Sequence, residues 1–242
     1  MTNRPDAACQ LLPVIAIRPE PGLTATLALA RAMRLAIHGC ALFEGAPFDW
    51  TPPEPGAYAG LLAASAALFR LAGPGLDGLR ALPVHAVGQA TAAVARAAGF
   101  AVTGVGEGGL ETVVGTLPPG HYLRLAGEAH VPLTPAPDVT IDTQVVYRMA
   151  ALPIPPGLAQ ILAAPALVLL HSGEAARHFA AQCDARGLDR ATIALACLAP
   201  RIAGVVGPGW AAVGIAPRRT DRALLALAGQ MCQTGVGRPA SS

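Results

Sequence analysis

Two serines in this sequence lie where a hydroxyl group could take part in chemistry. Ser172 follows the apolar, strand-like run 167–170 and precedes a helical pattern, and Ser65 occupies the same place after Leu61 and Leu62. A nucleophilic serine at such a turn has the pattern Gly-x-Ser-x-Gly, which neither serine has. Because the unit occurs twice, we interpret both serines as helix caps or hydrogen-bonding groups for a ligand held from two sides.

Two other patterns in the sequence have residues of the types found in functional sites. Glu174 and His178 are four residues apart with His171 just upstream, but His171 ends a strand and no equivalent exists near Ser65, so we predict no metal site. Residues 104–109 satisfy G-x-G-x-x-G, and Glu128 lies downstream at a distance suited to a ribose contact. The short helical stretch that follows favours a flexible loop, although a nucleotide-dependent enzyme remains an alternative.

Composition excludes several classes of function. The sequence has 242 residues and no lysine, which excludes Schiff-base chemistry, pyridoxal phosphate enzymes and Walker A loops. A net charge of +2 without basic runs argues against nucleic acid as a partner.

The longest uncharged run, 157–173, is too short to span a membrane, and residues 1–10 do not resemble a signal peptide. With five scattered cysteines, these features predict a cytoplasmic protein, with a disordered tail at 235–242.

The candidate residues belong to two similar series of elements. Residues 60–114 and 166–227 both have the order strand-Ser-helix, strand-loop-helix, strand-loop-helix. This alternation predicts an α/β fold with two similar parallel-sheet domains, joined by a two-strand linker, with the active-site cleft between them. We assign the N-terminal strand-helix-strand to the second series. One predicted domain is discontinuous and consists of residues 1–43 plus 150–242, and the other is an inserted domain at 44–149. The predicted linkers are residues 44–55 and 153–157.

Loops after the strands are the expected ligand-binding positions. Ligands of open parallel sheets bind at the carboxyl ends of the strands. The candidates are therefore Arg18, Ser65, Gly88, Thr91, Gly127, Ser172 and Arg201. Tyr147 lies on the strand that returns from the inserted domain, where it either packs or supplies a proton to a leaving group.

Several short motifs carry a resemblance to a known family. In chain order they are Ile17-Arg18-Pro19-Glu20, Leu42-Phe43-Glu44, the Ser65 unit, Val87-Gly88-Gln89-Ala90-Thr91-Ala92, Leu125-Ala126-Gly127-Glu128, Val146-Tyr147, Ser172 and Ala199-Pro200. In this order and spacing the chain resembles the uroporphyrinogen-III synthase family. The resemblance implies two domains, no cofactor and a linear tetrapyrrole substrate, hydroxymethylbilane. It also implies a lyase of porphyrin and heme biosynthesis that closes the macrocycle through a spiro intermediate, inverting ring D and releasing water.

The resemblance also implies roles for individual residues. Tyr147 matches a tyrosine proposed to assist departure of the hydroxyl group, and Thr91, Ser65 and Ser172 match hydroxyls that contact the substrate. The substrate has eight carboxylates, so the helix starts at Ser65, Gly88, Ser172 and Pro200 are expected to bind anions, with Arg18 and Arg201 adding bidentate contacts. Many family members have threonines after Pro200, where this chain has Arg201 and Ile202, and the family usually has a helix where residues 131–140 are rich in proline.

The predicted function is therefore a uroporphyrinogen-III synthase. We expect it to act as a monomer on a small-molecule substrate, without a cofactor, metal, nucleic acid or membrane partner. The alternative from a different class is a non-catalytic two-domain clamp that binds a small polyanionic ligand.

Overall fold

The computed structural model describes residues 12–234, and this part of the chain contains eleven strands and eight α-helices. The strands are β1 (Val14–Ala16), β2 (His38–Gly39), β3 (Phe43–Pro47), β4 (Gly60–Ala63), β5 (Val84–Val87), β6 (Val102–Gly106), β7 (Gly120–Gly127), β8 (Val139–Ala151), β9 (Ala166–Leu170), β10 (Ile193–Cys197) and β11 (Ala212–Ile215). The helices are α1 (Gly22–Ala32), α2 (Ala67–Leu71), α3 (Gly88–Ala97), α4 (Leu110–Val114), α5 (Pro156–Leu162), α6 (Gly173–Ala185), α7 (Pro200–Ala203) and α8 (Asp221–Gln233). The predictions for residues 1–10 and for the tail 235–242 lie outside the described residues.

Two sheets confirm the predicted α/β fold with mostly parallel strands. The chain divides into two compact units, of which the first contains residues 12–44 and 151–234 and the second residues 45–150. The sheet of the first unit has the order β11-β10-β9-β1-β2, and the other sheet has the order β3-β8-β7-β4-β5-β6. Within residues 12–234, none of the helices has the length and apolar character needed to cross a membrane.

The sheet of the first unit is covered on both faces. Its central strands β9 and β10 are buried at every position, as expected for parallel strands between two helical layers. One face packs with α5, α6 and α7, where Phe179 and Ile202 are fully buried against Val168. The other face packs with α1 and α8 through Leu23 and Leu224.

The sheet of the second unit is covered unequally. Its larger core packs α2 and α3 against one face, with Leu61, Leu123 and Ala92 fully or nearly fully buried. The other face has a smaller core in which α4 packs through Leu110 against Tyr122. Since α4 has only five residues and residues 128–138 contain no helix or strand, this face has less regular cover.

Several elements differ from the sequence prediction. Helix α5 begins at Pro156, within the predicted linker 153–157, because proline is well suited to the first turn of a helix. Helix α4 ends at Val114, since Gly115 and the prolines that follow do not favour a longer helix. Residues 44–47, which lie in the other predicted linker, 44–55, form β3 together with Phe43.

Removing the aromatic ring at the centre of the first unit is expected to destabilise it. Phe179 is fully buried and stacks on Trp210 with ring centroids 5.7 Å apart. We expect Phe179→Ala to lower the free energy of unfolding by about 3–5 kcal/mol, because the cavity it leaves closes only in part. Urea unfolding followed by fluorescence in a Trp50→Phe background, where Trp210 is the remaining tryptophan, measures this change. The control Val213→Ala, at a residue that is 43% exposed on β11, is expected to cost less than about 1 kcal/mol. Equal losses for the two variants would contradict the prediction.

Candidate functional site

The carboxyl edge of the sheet in the second unit borders a cavity of about 400 Å³. Three residues predicted from the sequence line it together: Ser65, which follows β4, Gly127, which ends β7, and Tyr147 on β8. They meet because β7 pairs in parallel with both β4 and β8, and the register places Tyr147, which lies within β8, beside Gly127 at the end of β7. The other lining residues are Ala64, Leu68, Gly108, Gly109, Leu110, Glu111, Arg124, Leu125, Ala126, Ala129, His130, Val131 and Leu133.

A β-bulge sets the position of Tyr147. Ala126 pairs with Val145, but Gly127 pairs with Tyr147, so one extra residue of β8 lies between the two pairs. Bulges of this kind change the direction of the side chains that follow. A Cβ atom on Gly127 would lie 2.9 Å from Cε2 and Cζ of Tyr147, so the ring packs directly on the glycine. The side chain of Tyr147 is only partly buried and lines the cavity.

Ser65 has a hydrogen bond within its own turn. Its Oγ accepts from the backbone N–H of Ala67 over 3.2 Å. The helix that follows, α2, has five residues and is too short for a strong helix dipole. The helix start at Ser65 therefore offers less to an anion than the sequence suggested, although Ser65 itself lines the cavity.

Arg124 is a residue that the sequence analysis missed as a site residue. It lies in the middle of β7, is 5% exposed and lines the cavity. Its Nη1 donates a hydrogen bond to the carbonyl of Val131 over 2.8 Å, while its Nε is buried without a partner in the described residues. Burial lowers the pKa of Arg124, and the negative charge of Glu111 opposes that shift. The signal in the sequence is a charged residue between the apolar residues Leu123 and Leu125.

In the first unit, Arg18 is held by residues of its own unit. Its Nη1 donates to Oδ2 of Asp221 over 2.9 Å and to Oγ1 of Thr26 over 3.0 Å. Thr26 is fully buried and donates to the same carboxylate over 2.7 Å. Nη1 of the guanidinium group is therefore already occupied, so the predicted bidentate contact with a substrate carboxylate must use Nε and Nη2.

His171, which follows β9 directly, lies beside this cluster. Its Nε2 is 3.4 Å from Oδ1 of Asp221, and neither ring nitrogen makes a hydrogen bond within residues 12–234. Burial, together with the positive charge of Arg18, lowers the pKa of His171 to about 4, although the negative charge of Asp221 opposes the shift. The imidazole is therefore neutral at pH 7.

The remaining predicted residues lie at separate places. Ser172 caps α6, because its Oγ accepts a hydrogen bond from the N–H of Ala175 over 3.1 Å. This contact agrees with the interpretation of Ser172 as a helix cap. Arg201 is exposed on α7, a helix of four residues. Gly88 begins α3 with a φ of 77°, next to open space, whereas Thr91 is 5% exposed and faces the core.

Local packing explains the positions of the glycines in 104–109 and of His178. Gly104 and Gly106 lie within β6, where a Cβ atom would meet His85 Nδ1 at 2.8 Å and Val113 Cγ2 at 2.6 Å. The strand needs them for close packing, so they form no phosphate-binding turn. His178 Nε2 lies 2.7 Å from the carbonyl of Leu152. Residues 12–234 contain no cluster of three side chains suited to hold a metal ion.

Comparisons with known proteins point to one family. The family model described as Uroporphyrinogen-III synthase HemD matches residues 58–226. The crystal structure of uroporphyrinogen-III synthetase from Helicobacter pylori 26695 is 16% identical, with a TM-score of 0.64, and the match covers 91% of this chain and 99% of that one. A mutant uroporphyrinogen III synthase from Thermus thermophilus is 14% identical, with a TM-score of 0.45 and coverage of 92% and 99%. No curated protein matches the sequence. The Helicobacter pylori enzyme thus shares the fold.

The buried histidine predicts a loss of stability in acid. Because the pKa of His171 is about 4 in the folded chain and about 6.5 when unfolded, the unfolded state takes up the proton first as the pH falls. The stability from neutral His171 is complete above pH 6.5 and declines toward pH 4, by about 3 kcal/mol in total. Urea unfolding at intervals from pH 7 to pH 4 measures the decline.

The variant His171→Gln separates this effect from the titration of carboxylates. Glutamine keeps a polar side chain without a titrating ring, so we expect a shallower decline below pH 6.5. The difference between wild type and variant should stay constant from pH 7 to pH 8, which serves as the control. An identical slope for both proteins between pH 6.5 and pH 4 would show that His171 does not contribute.

Proposed function

Because the chain belongs to the uroporphyrinogen-III synthase family, we propose that it cyclises hydroxymethylbilane to uroporphyrinogen III, with inversion of ring D and loss of water. The observation that carries this proposal is the cavity in the second unit, where Tyr147, Ser65 and Gly127 lie together with Arg124. A phenol, a hydroxyl group and a cation around one cavity suit a polycarboxylate substrate that must lose a hydroxyl group.

We propose that Tyr147 assists the first step of the reaction. The hydroxyl group of hydroxymethylbilane is a poor leaving group, and a proton from the phenol lets it depart as water while the adjacent pyrrole supplies the electron pair. The side chain of Tyr147 is available for this role because it lines the cavity and, unlike the hydroxyl groups of Tyr58 and Tyr122, has no hydrogen-bond partner among the described residues. The carbon that has lost the hydroxyl group then bonds to ring D, giving the spiro intermediate from which the inverted ring follows.

Binding geometry is proposed to decide which isomer forms. The linear substrate closes to the uninverted isomer without help, so the protein must hold its ends in the arrangement that leads to inversion. Ser65 and Arg124, which line the cavity, and Gly88 at the start of α3 are the proposed contacts in the second unit, whereas Thr91 is 5% exposed and faces the core. Arg18, Ser172 and Arg201 are the proposed contacts in the first unit, in which Arg18 keeps Asp221 as its partner.

The cellular setting is also part of the proposal. We propose a monomer that acts in the cytoplasm, in porphyrin and heme biosynthesis, without a cofactor. The four cysteines among the described residues are free thiols, which suits a reducing compartment. Burial raises the pKa of Cys183 to about 12 and that of Cys197 to about 11, so neither thiol is reactive at neutral pH.

The product isomer tests the proposed reaction. Freshly prepared hydroxymethylbilane is incubated with the protein, and the oxidised products are separated by chromatography beside a blank without protein. We expect the type III isomer to predominate with protein and the type I isomer in the blank. Type I alone in both samples, together with tight binding of the substrate, would favour the non-catalytic clamp instead.

Replacing the phenol tests the role of Tyr147. We expect Tyr147→Phe to lower kcat about 100-fold or more with little change in KM, because the ring still packs on Gly127 but no longer donates a proton. The matched control is Tyr58→Phe, which removes a hydroxyl group that donates a hydrogen bond to Asp142. Tyr58 lies just before the start of β4, at the opposite end of that strand from Ser65. Equal kcat values for both variants would rule out proton donation by Tyr147.

A methyl group on Gly127 is expected to impair the same step without altering the phenol. Gly127→Ala would place a Cβ atom 2.9 Å from the ring of Tyr147, so the ring must move. We expect a fall in kcat of about tenfold or more, since small displacements of a catalytic group are costly. The control Gly56→Ala adds its methyl group in open space in the same unit and should leave kcat unchanged. Full activity of Gly127→Ala would contradict the assigned position of Tyr147.

A further inference from the structure

A cation lies inside the second unit without a bonded anion. Arg124 is 5% exposed and alternates along β7 with Leu123 and Leu125, which face the larger core. Arg124 therefore shares its face of the sheet with Tyr122, the face that α4 covers in part. No ion pair links Arg124 to a carboxylate within residues 12–234, and Glu111 acts on it only through its charge. A buried charge of this kind is costly unless it has a partner.

The hydrogen bonds of Arg124 leave one edge of its guanidinium group unused. Nη1 is occupied by the carbonyl of Val131, the one hydrogen bond that this side chain makes in the described part of the chain. Nε is buried and has no partner there. Nε–H and the neighbouring N–H of Nη2 point in the same direction, and their spacing matches the two oxygens of a carboxylate. The unused edge is therefore suited to one planar carboxylate.

The cavity around Arg124 has room for such a group. Its volume of about 400 Å³ lies within the range of small-molecule sites. Leu68, Leu110 and Leu133 give it apolar walls, and Tyr147 lines it as well. A carboxylate at the end of a short methylene arm combines the charge that Arg124 requires with the apolar surface that the walls accept.

We propose that Arg124 binds one side-arm carboxylate of the tetrapyrrole through Nε and Nη2 and thereby positions the neighbouring pyrrole ring at Tyr147. This inference rests on the proposed function and adds a specificity-determining residue to it. It also explains the buried donor, because a group that is unpaired in the free protein gains its partner when the substrate binds.

The variants Arg124→Met and Arg124→Lys test the inference. Methionine removes the charge and keeps an apolar side chain, so we expect KM for hydroxymethylbilane and Kd for uroporphyrinogen III to rise about tenfold to a hundredfold, with a smaller change in kcat. Lysine keeps a point charge without the bidentate edge and should give intermediate values. The matched control is Arg96→Met, at an exposed arginine on α3, which should leave both constants unchanged. Thermal unfolding of each variant shows whether it is folded.

The outcomes separate the inference from the proposed function. If the wild-type protein makes no type III isomer, the proposed function is refuted. The comparison of Kd for uroporphyrinogen III between wild type and Arg124→Met still decides whether Arg124 binds the carboxylate. An active wild type together with unchanged KM and Kd in Arg124→Met overturns the inference alone. If Arg124→Met does not fold, Arg124→Lys decides the question. KM and Kd values for Arg124→Lys that equal those of the wild type would also overturn the inference.

Discussion

The parallel pairing of β7 with β4 on one side and β8 on the other is the constraint on which the site depends. Hydrogen-bonded parallel strands end at the same edge of a sheet, so the residues that follow or end them are neighbours although they are far apart in sequence. Ser65 and Gly127 meet at the cavity for this reason, and Tyr147, which lies within β8, joins them because it pairs with Gly127. The bulge between Ala126 and Gly127 then decides which residue of β8 lies beside the glycine.

The two faces of the same sheet serve different purposes. The face covered by α2 and α3 holds a continuous apolar core, which provides stability. The face covered by the short α4 and by residues 128–138 leaves a cavity and contains Arg124. A well-packed apolar side chain at position 124 would stabilise the unit better than a buried cation with an unpaired donor. A functional site commonly has this property, because groups arranged for a ligand are incompletely paired when the ligand is absent.

Much of the fold could be predicted because its elements have strong local signals. Strands such as β9 and β10 are short apolar runs, and they alternate with helices in an order that implies parallel sheets. Helix α5 was missed because Pro156 suggests a linker in sequence although it is favourable at the start of a helix.

The site was predictable only in part. Ser65 and Gly127 follow from the positions of strand ends, whereas Tyr147 follows from its place on the strand that returns from the inserted domain and from the family resemblance. Arg124 does not, because the sequence of β7 gives no sign of which face lacks full cover. The pairing of Arg18 with Asp221 joins residues at opposite ends of the chain, a contact that spacing along the sequence does not reveal.

A crystal structure of the protein with bound uroporphyrinogen III, obtained without oxygen, tests the central claim most directly. The predicted result is a carboxylate oxygen about 2.7–2.9 Å from Nε of Arg124, with the macrocycle beside the hydroxyl group of Tyr147. A bound macrocycle that leaves the cavity at Ser65, Gly127 and Tyr147 empty, with Nε of Arg124 still unpaired, would contradict it.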